Sequence, residues 1–148
     1  MKNLQLFTIG YTQKSAETFF GLLERAGVKR IIDIRLNNSS QLAGFTKKDD
    51  LKFFLKRIAD IDYLHMTQLA PTQDILDDYK KRNHSWLDYE KKFNAVLKSR
   101  NIKEDLTDTL LERACLLCSE PNPDRCHRRL VAEFIKQIFP NLTIAHLG

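Results

Sequence analysis

The sequence predicts an α/β fold. It reads as a single domain over residues 1–148, built on a mostly parallel five-stranded sheet with helices on both faces and a helical insert, 74–113, before the fourth strand. Three observations predict this. Segments with helical apolar spacing alternate with short apolar runs in the order βαβαβ, helical insert, βαβ, the pattern of parallel strands joined by crossovers. The short runs are apolar nearly throughout, as strands covered on both faces are. Glycine and proline are sparse and fall at junctions, and no repeat or low-complexity tract interrupts the pattern. The general chirality of βαβ units makes the crossovers right-handed.

Residues 4–9, LQLFTI, form the first strand candidate, ended by Gly10. From 16 to 26 the apolar residues Phe19, Phe20, Leu22, Leu23 and Ala26 share a helical face, with Ser15 as N-cap and Gly27 just past the end. Residues 30–35, RIIDIR, read as the second strand and 36–46 as a polar loop. Thr46 and Asp49 resemble a capping box for a helix carrying Leu51, Phe54, Leu55 and Ile58. Residues 61–65 form the third strand. The insert follows: a short helix over 74–81, a longer one capped by Ser85 and running to about residue 100, and a third over 102–112. Residues 114–118, ACLLC, are the fourth strand. Asp124 caps a last helix with Leu130, Val131, Phe134, Ile135 and Ile138 on its inner face, and 142–147 is a short final strand.

No apolar run approaches the ~20 residues that span a bilayer. The N-terminus lacks the h-region and cleavage site of a signal peptide and reads better as a strand, so the cytoplasm is the expected location. Three cysteines, Cys115, Cys118 and Cys126, cluster in one segment, which is no secreted disulfide framework. The net charge of +5 admits an anionic partner such as a nucleotide or nucleic acid, but a soluble protein with a mild lysine excess is the favoured reading, because many basic proteins bind no nucleic acid.

In open α/β sheets, ligands bind beyond the carboxyl ends of the strands. Gly10, Tyr11 and Thr12 follow strand one, Asp33 and Arg35 end strand two, His65 ends strand three, Cys118 strand four and His146 the last strand. Strand ends meet water, so polar residues are expected there anyway. Arginine, histidine and cysteine converging on one edge nevertheless favour a shared site. Asp33 sits two residues before Arg35, on the same strand face, and can orient its guanidinium toward an anion or simply form a structural ion pair.

The segment CSEPNPDRCHRRL, 118–130, carries the densest chemistry. With Asp124 as N-cap, Arg125, Cys126 and His127 fall in the first helical turn, where open N–H groups and the helix dipole favour a thiolate or a bound anion. Cys118 and Cys126 are therefore candidate nucleophiles, His127 or His65 the acid/base group, and Gly10, Tyr11, Thr12, Asp33, Arg35, Arg128 and His146 ligand-binding candidates. Arg128 and Arg129 point in different directions on a helix, so at most one faces the site. Other readings stay open. Cys115 reads as a buried core thiol. Cys118 and Cys126 can form a disulfide. Metal binding is disfavoured, because seven residues separate the two cysteines and adjacent Cys-His rarely ligate one ion. Strand, cysteine, loop, arginine and helix also follow one another in cysteine phosphatases and rhodaneses. Here six residues, not five, separate Cys118 from Arg125, and two of them are prolines without amide donors.

TIGYT at 8–12, IIDIR at 31–35, GF at 44–45, YLH at 63–65 and LLCSEPNPDRCHRRLVAEFI at 116–135 together make the chain similar to the DUF488 family, a domain of unknown function. The resemblance runs over essentially the whole chain, and Cys-x7-Cys-His-Arg is its most specific part. It implies a compact α/β domain with one shared polar site and supplies no reaction. Tyr11 stands where many members carry His, and the Asn- and Ser-rich stretch 36–42 stands where many carry Arg and Pro.

In the insert, basic residues alternate with Tyr79, Trp86 and Tyr89, a mixture that can bind single-stranded nucleic acid. Trp86, Tyr89 and Phe93 recur at helical spacing, so a packing face is the simpler reading. The insert can also serve as a lid over the sheet edge. The sequence thus predicts an enzyme-like domain binding a phosphate- or nucleotide-like small anion, with cysteine chemistry. A non-catalytic nucleic-acid module and a metal or redox sensor at Cys118, Cys126 and His127 are the alternatives. No cofactor is specified.

Overall fold

The computed structural model describes residues 3–38, 44–120 and 125–148. Its sheet has five strands, all parallel, in the order β3-β2-β4-β1-β5. These are β1 (Leu4–Gly10), β2 (Arg30–Asp33), β3 (Asp62–His65), β4 (Ala114–Cys118) and β5 (Leu142–His146). The central strand β4 is buried at every position, which explains its unbroken apolar reading. Successive β4 residues face opposite layers. Cys115 and Leu117 join Phe19, Leu23, Leu51 and Leu55 from α1 (Ala16–Ala26) and α2 (Lys48–Ala59). Ala114, Leu116 and Cys118 join Tyr89, Phe93 and Leu97 from α4 (Trp86–Ser99) and Leu130, Val131 and Ile135 from α6 (His127–Ile138).

The first two crossovers step from β1 to β2 to β3 toward one sheet edge; the last two step back through β4 to β5 at the other. The direction in which successive strands are added reverses about the neighbouring strands β2, β4 and β1, where such sheets open a crevice at their carboxyl ends. The insert, α3 (Gln73–Lys80), α4 and the short α5 (Asp108–Leu111), precedes β4.

Several boundaries differ from expectation, each for a local reason. β2 ends at Asp33 rather than Arg35, because the Asp33 carboxylate accepts the backbone N–H of Arg35 at 3.1 Å and turns the chain. The expected Thr46–Asp49 capping box does not form. Thr46 lies in a 3₁₀ turn, Gly44–Thr46, and Lys47 caps α2 without a side-chain bond. The expected helix over 102–112 splits into a 3₁₀ turn, Ile102–Asp105, and α5, because extended Thr107 caps a new start by accepting from Leu110 N. The last helix begins later than expected: Cys126 is its N-cap, in extended backbone, and His127 its first residue. Asp124, expected as the cap, lies outside the described residues, as do 39–43 of the polar loop. Among the described residues no helix is long and apolar enough to cross a membrane.

Candidate functional site

A cavity of about 170 Å3 opens where β1, β2 and β4 end, beneath α3 and α4. Of the residues predicted from sequence, Tyr11, Arg35, Cys126 and His127 line it. Ser119, Glu120 and Arg125 line it from the β4–α6 connection, and Lys80, Tyr79, Trp86 and Tyr89 from the insert.

Arg35 is held rigidly. It is buried, its Nε and Nη2 donate to Asp33 Oδ1 and Oδ2 at 2.9 and 2.7 Å, and Nη2 also donates to the Thr46 carbonyl at 2.7 Å. Burial works against its charge, yet the fork to Asp33 outweighs it and raises the pKa above the ordinary arginine value. Tyr11 places its ring 5.3 Å from the guanidinium carbon. Asp33 also accepts from Tyr63 Oη at 2.5 Å, and burial followed by that bond raises the Tyr63 pKa.

His65 positions Arg35 from outside the cavity. Its Nε2 donates to the Arg35 carbonyl at 2.7 Å, which leaves Nδ1 to accept from Asn38 Nδ2 at 3.1 Å. Thr12 donates its hydroxyl to the Ser119 carbonyl at 2.6 Å and pins the end of β1 to the β4 loop. Gly10 allows a close approach of the β4–α6 connection and Arg128. A Cβ there would lie 1.6 Å from the Glu120 carbonyl oxygen and 2.2 Å from Arg128 Nη1. His146 stands apart on the edge strand β5, hydrogen-bonded through Nδ1 to Thr8 Oγ1 at 2.6 Å.

The α6 arginines diverge as the helical spacing predicts. Arg128 is fully buried and donates through Nη1 to the Glu120 carbonyl and to Cys118 Sγ at 3.7 Å. Burial lowers its pKa. Arg129 turns to Glu133 at 2.9 Å and Glu90 at 3.4 Å.

The thiols meet at this edge. Cys118 ends β4, fully buried, and Cys126 caps α6 beside the cavity. Their sulfurs are 2.18 Å apart, at bonding distance. Cys126 consequently makes no cap hydrogen bond to its own helix. His127 Nε2 donates to the Ile34 carbonyl at 2.8 Å, which leaves Nδ1 with the lone pair. Burial pushes the His127 pKa down to about 4, so the imidazole is neutral near pH 7. Cys115 lies on the opposite face of β4, free and buried, with burial raising its thiol pKa.

Sequence reasoning found the strand-end residues because strand termini and motifs mark them. It missed Tyr63, Asn38, Ser119 and Arg125. For Tyr63 a signal existed: it lies two residues before His65, on the same strand face. It assigned Trp86 and Tyr89 to packing. They do stack, with centroids 4.7 Å apart, and they also wall the cavity. Some of the basic residues of the insert are paired with acids: Lys92 with Asp78 and Asp88 at 2.7 and 2.8 Å, and Arg82 with Asp78 at 2.6 Å.

No curated protein and no solved structure matches the chain. One family does, described as domain of unknown function DUF488, over residues 15–135. The matched span takes in every cavity-lining residue named above except Tyr11, together with Asp33, Cys118 and Arg128 behind the wall. By the extent of that match, this protein belongs to the DUF488 family.

Proposed function

We propose that this protein is a thiol-dependent enzyme that binds a small anionic disulfide at the strand-end cavity and exchanges it with the Cys118–Cys126 pair. The observation carrying this reading is that Cys126 shares a cavity wall with Arg35, Lys80 and Arg125 while its sulfur reaches Cys118 behind it. The cations attract the anion and favour the thiolate. A cavity of about 170 Å3 is comparable to the ~150 Å3 that holds a benzene ring, so it suits one ring or one oxyanion group rather than a whole nucleotide.

In the reduced protein the Cys126 thiolate attacks one sulfur of the substrate. Its S–S bond breaks, the first half leaves as a thiolate, and a mixed disulfide remains on Cys126. The Cys118 thiolate, beside Arg128, then attacks Cys126 Sγ, closing the internal disulfide and releasing the second half. The substrate gains two electrons and the pair loses two. The reverse sequence, with two equivalents of thiol as reductant, restores the pair. Such a cycle suits a reducing compartment such as the cytoplasm.

The test uses the reduced full chain and an anionic aryl disulfide, dithiobis-nitrobenzoate. Wild-type protein is expected to release two aryl thiolates per site and close Cys118–Cys126. Cys118→Ser should stop at the mixed disulfide after one release, and Cys126→Ser should not react at the cavity. Equal reactivity of the two cysteines, or no preference over a neutral disulfide of similar size, would sink the reading.

A further inference from the structure

We infer that the reduced Cys118–Cys126 pair and His127 form a binding site for a soft divalent cation of the zinc class. The inference rests on the same thiols being reducible in the folded protein, as the proposed exchange requires.

The linear spacing speaks against such a site, and the fold removes the objection. β4 brings Cys118 to the strand end; Cys126 is an extended cap and His127 the first residue of α6. One ligand atom from each of the three lies within 4.8 Å of the others. The backbone spacing adds a second observation. The Cα atoms of Cys118 and Cys126 stand 7.5 Å apart, whereas disulfides ordinarily bring theirs to about 4.4–6.8 Å. Two sulfurs bound tetrahedrally at about 2.3 Å from one zinc sit roughly 3.8 Å apart, which a wider backbone accommodates.

The surroundings fit a metal ligand. His127 Nε2 donates to the Ile34 carbonyl at 2.8 Å, the outer-shell bond that fixes the tautomer of ligating histidines and offers Nδ1 to the ion. Two thiolates and a dication sum to zero charge, which suits residues this deeply buried. Thiolate and imidazole together select zinc-class ions over magnesium or calcium. Cys126 and His127 line the cavity, so the fourth ligand comes from there, as water or as an anion drawn by Arg35 and Arg125. Ion and disulfide are then alternative states of one pair of sulfurs.

The test is anaerobic titration of the reduced full chain with Co2+, followed by displacement with Zn2+. One Co2+ per chain should bind, with a thiolate-to-cobalt charge-transfer band and the intense visible bands of tetrahedral coordination. Cys115→Ala should keep both. Cys118→Ser and Cys126→Ser should lose the charge-transfer intensity in proportion to the thiolate removed. His127→Gln should weaken binding by at least the ~10–100-fold that loss of an outer-shell partner costs. Disulfide-closed protein should bind no Co2+, which also controls for folding without substitutions. A folded, reduced chain with its thiols titrated free that takes up no Co2+ overturns the inference and leaves the exchange reading standing. Thiols that cannot be reduced without unfolding overturn both.

Discussion

Asp33 and Arg35 form a buried pair that does two jobs: it closes the end of β2, and it presents a fixed cation to the cavity. Removing one partner leaves the other charge buried. Asp33→Asn is therefore expected to cost about 3–5 kcal/mol in chemical denaturation. Replacing both, Asp33→Asn with Arg35→Met, should recover much of that stability, because an apolar substitute carries no desolvation penalty. The double variant should still lose its preference for the anionic disulfide, which separates the structural role from the binding role. Gly10 is constrained just as locally. Gly10→Ala pushes a methyl group into the Glu120 carbonyl and Arg128, so at least the ~1–3 kcal/mol of an overpacked core should be lost, read as a lower denaturation midpoint. The sequence marked these positions because residue type is itself the signal. It could not mark Asn38, whose partners Tyr63 and His65 come from another strand.

At the scale of elements, local chemistry decided what was legible. Ser15 and Gly27 bracket α1 as expected, with Ser15 Oγ accepting from Thr18 N and Gly27 in the left-handed region at φ 73°. Ser85 caps α4 by accepting from Asp88 N at 3.1 Å. Ser85→Ala should destabilise the protein by about 1 kcal/mol, seen as a lower melting temperature. Two boundaries were misread where a group was claimed from farther away: the Cys126 side chain by Cys118, and the Thr46 backbone carbonyl by Arg35. The α3–α4 pair also carries a pH dependence. Hydrogen bonds from Lys92 and Arg82 hold the Asp78 carboxyl down to about 2, from an ordinary value of 3.8. Since the folded value is depressed, its stabilisation is present above about pH 4 and is lost as pH falls through about 2. Asp78→Asn should lower the melting temperature at neutral pH and flatten its fall between pH 4 and 2.

For the whole molecule, the alternation of elements was enough to predict parallel α/β architecture, because covered parallel strands leave that trace in any sequence. The strand order was not readable. It depends on contacts between segments far apart in the chain, such as Thr8 beside His146 and Phe7 beside Cys115. The same is true of the cavity. Its aromatic wall comes from an insert whose residues look like ordinary packing until α4 is laid over the strand ends. Trp86→Ala removes part of that wall without touching the thiols. It should slow exchange with the aryl disulfide while leaving exchange with a small aliphatic disulfide near the wild-type rate.

Trp86 is the chain's single tryptophan, and it stands at the cavity wall, stacked on Tyr89. All indole emission from this protein therefore originates at one known place, beside the thiols and the cationic pocket. Filling the cavity, closing the disulfide or loading an ion should each alter the intensity or wavelength of that emission. The molecule thus carries its own optical probe, through which occupancy and redox state can be followed in real time without a label.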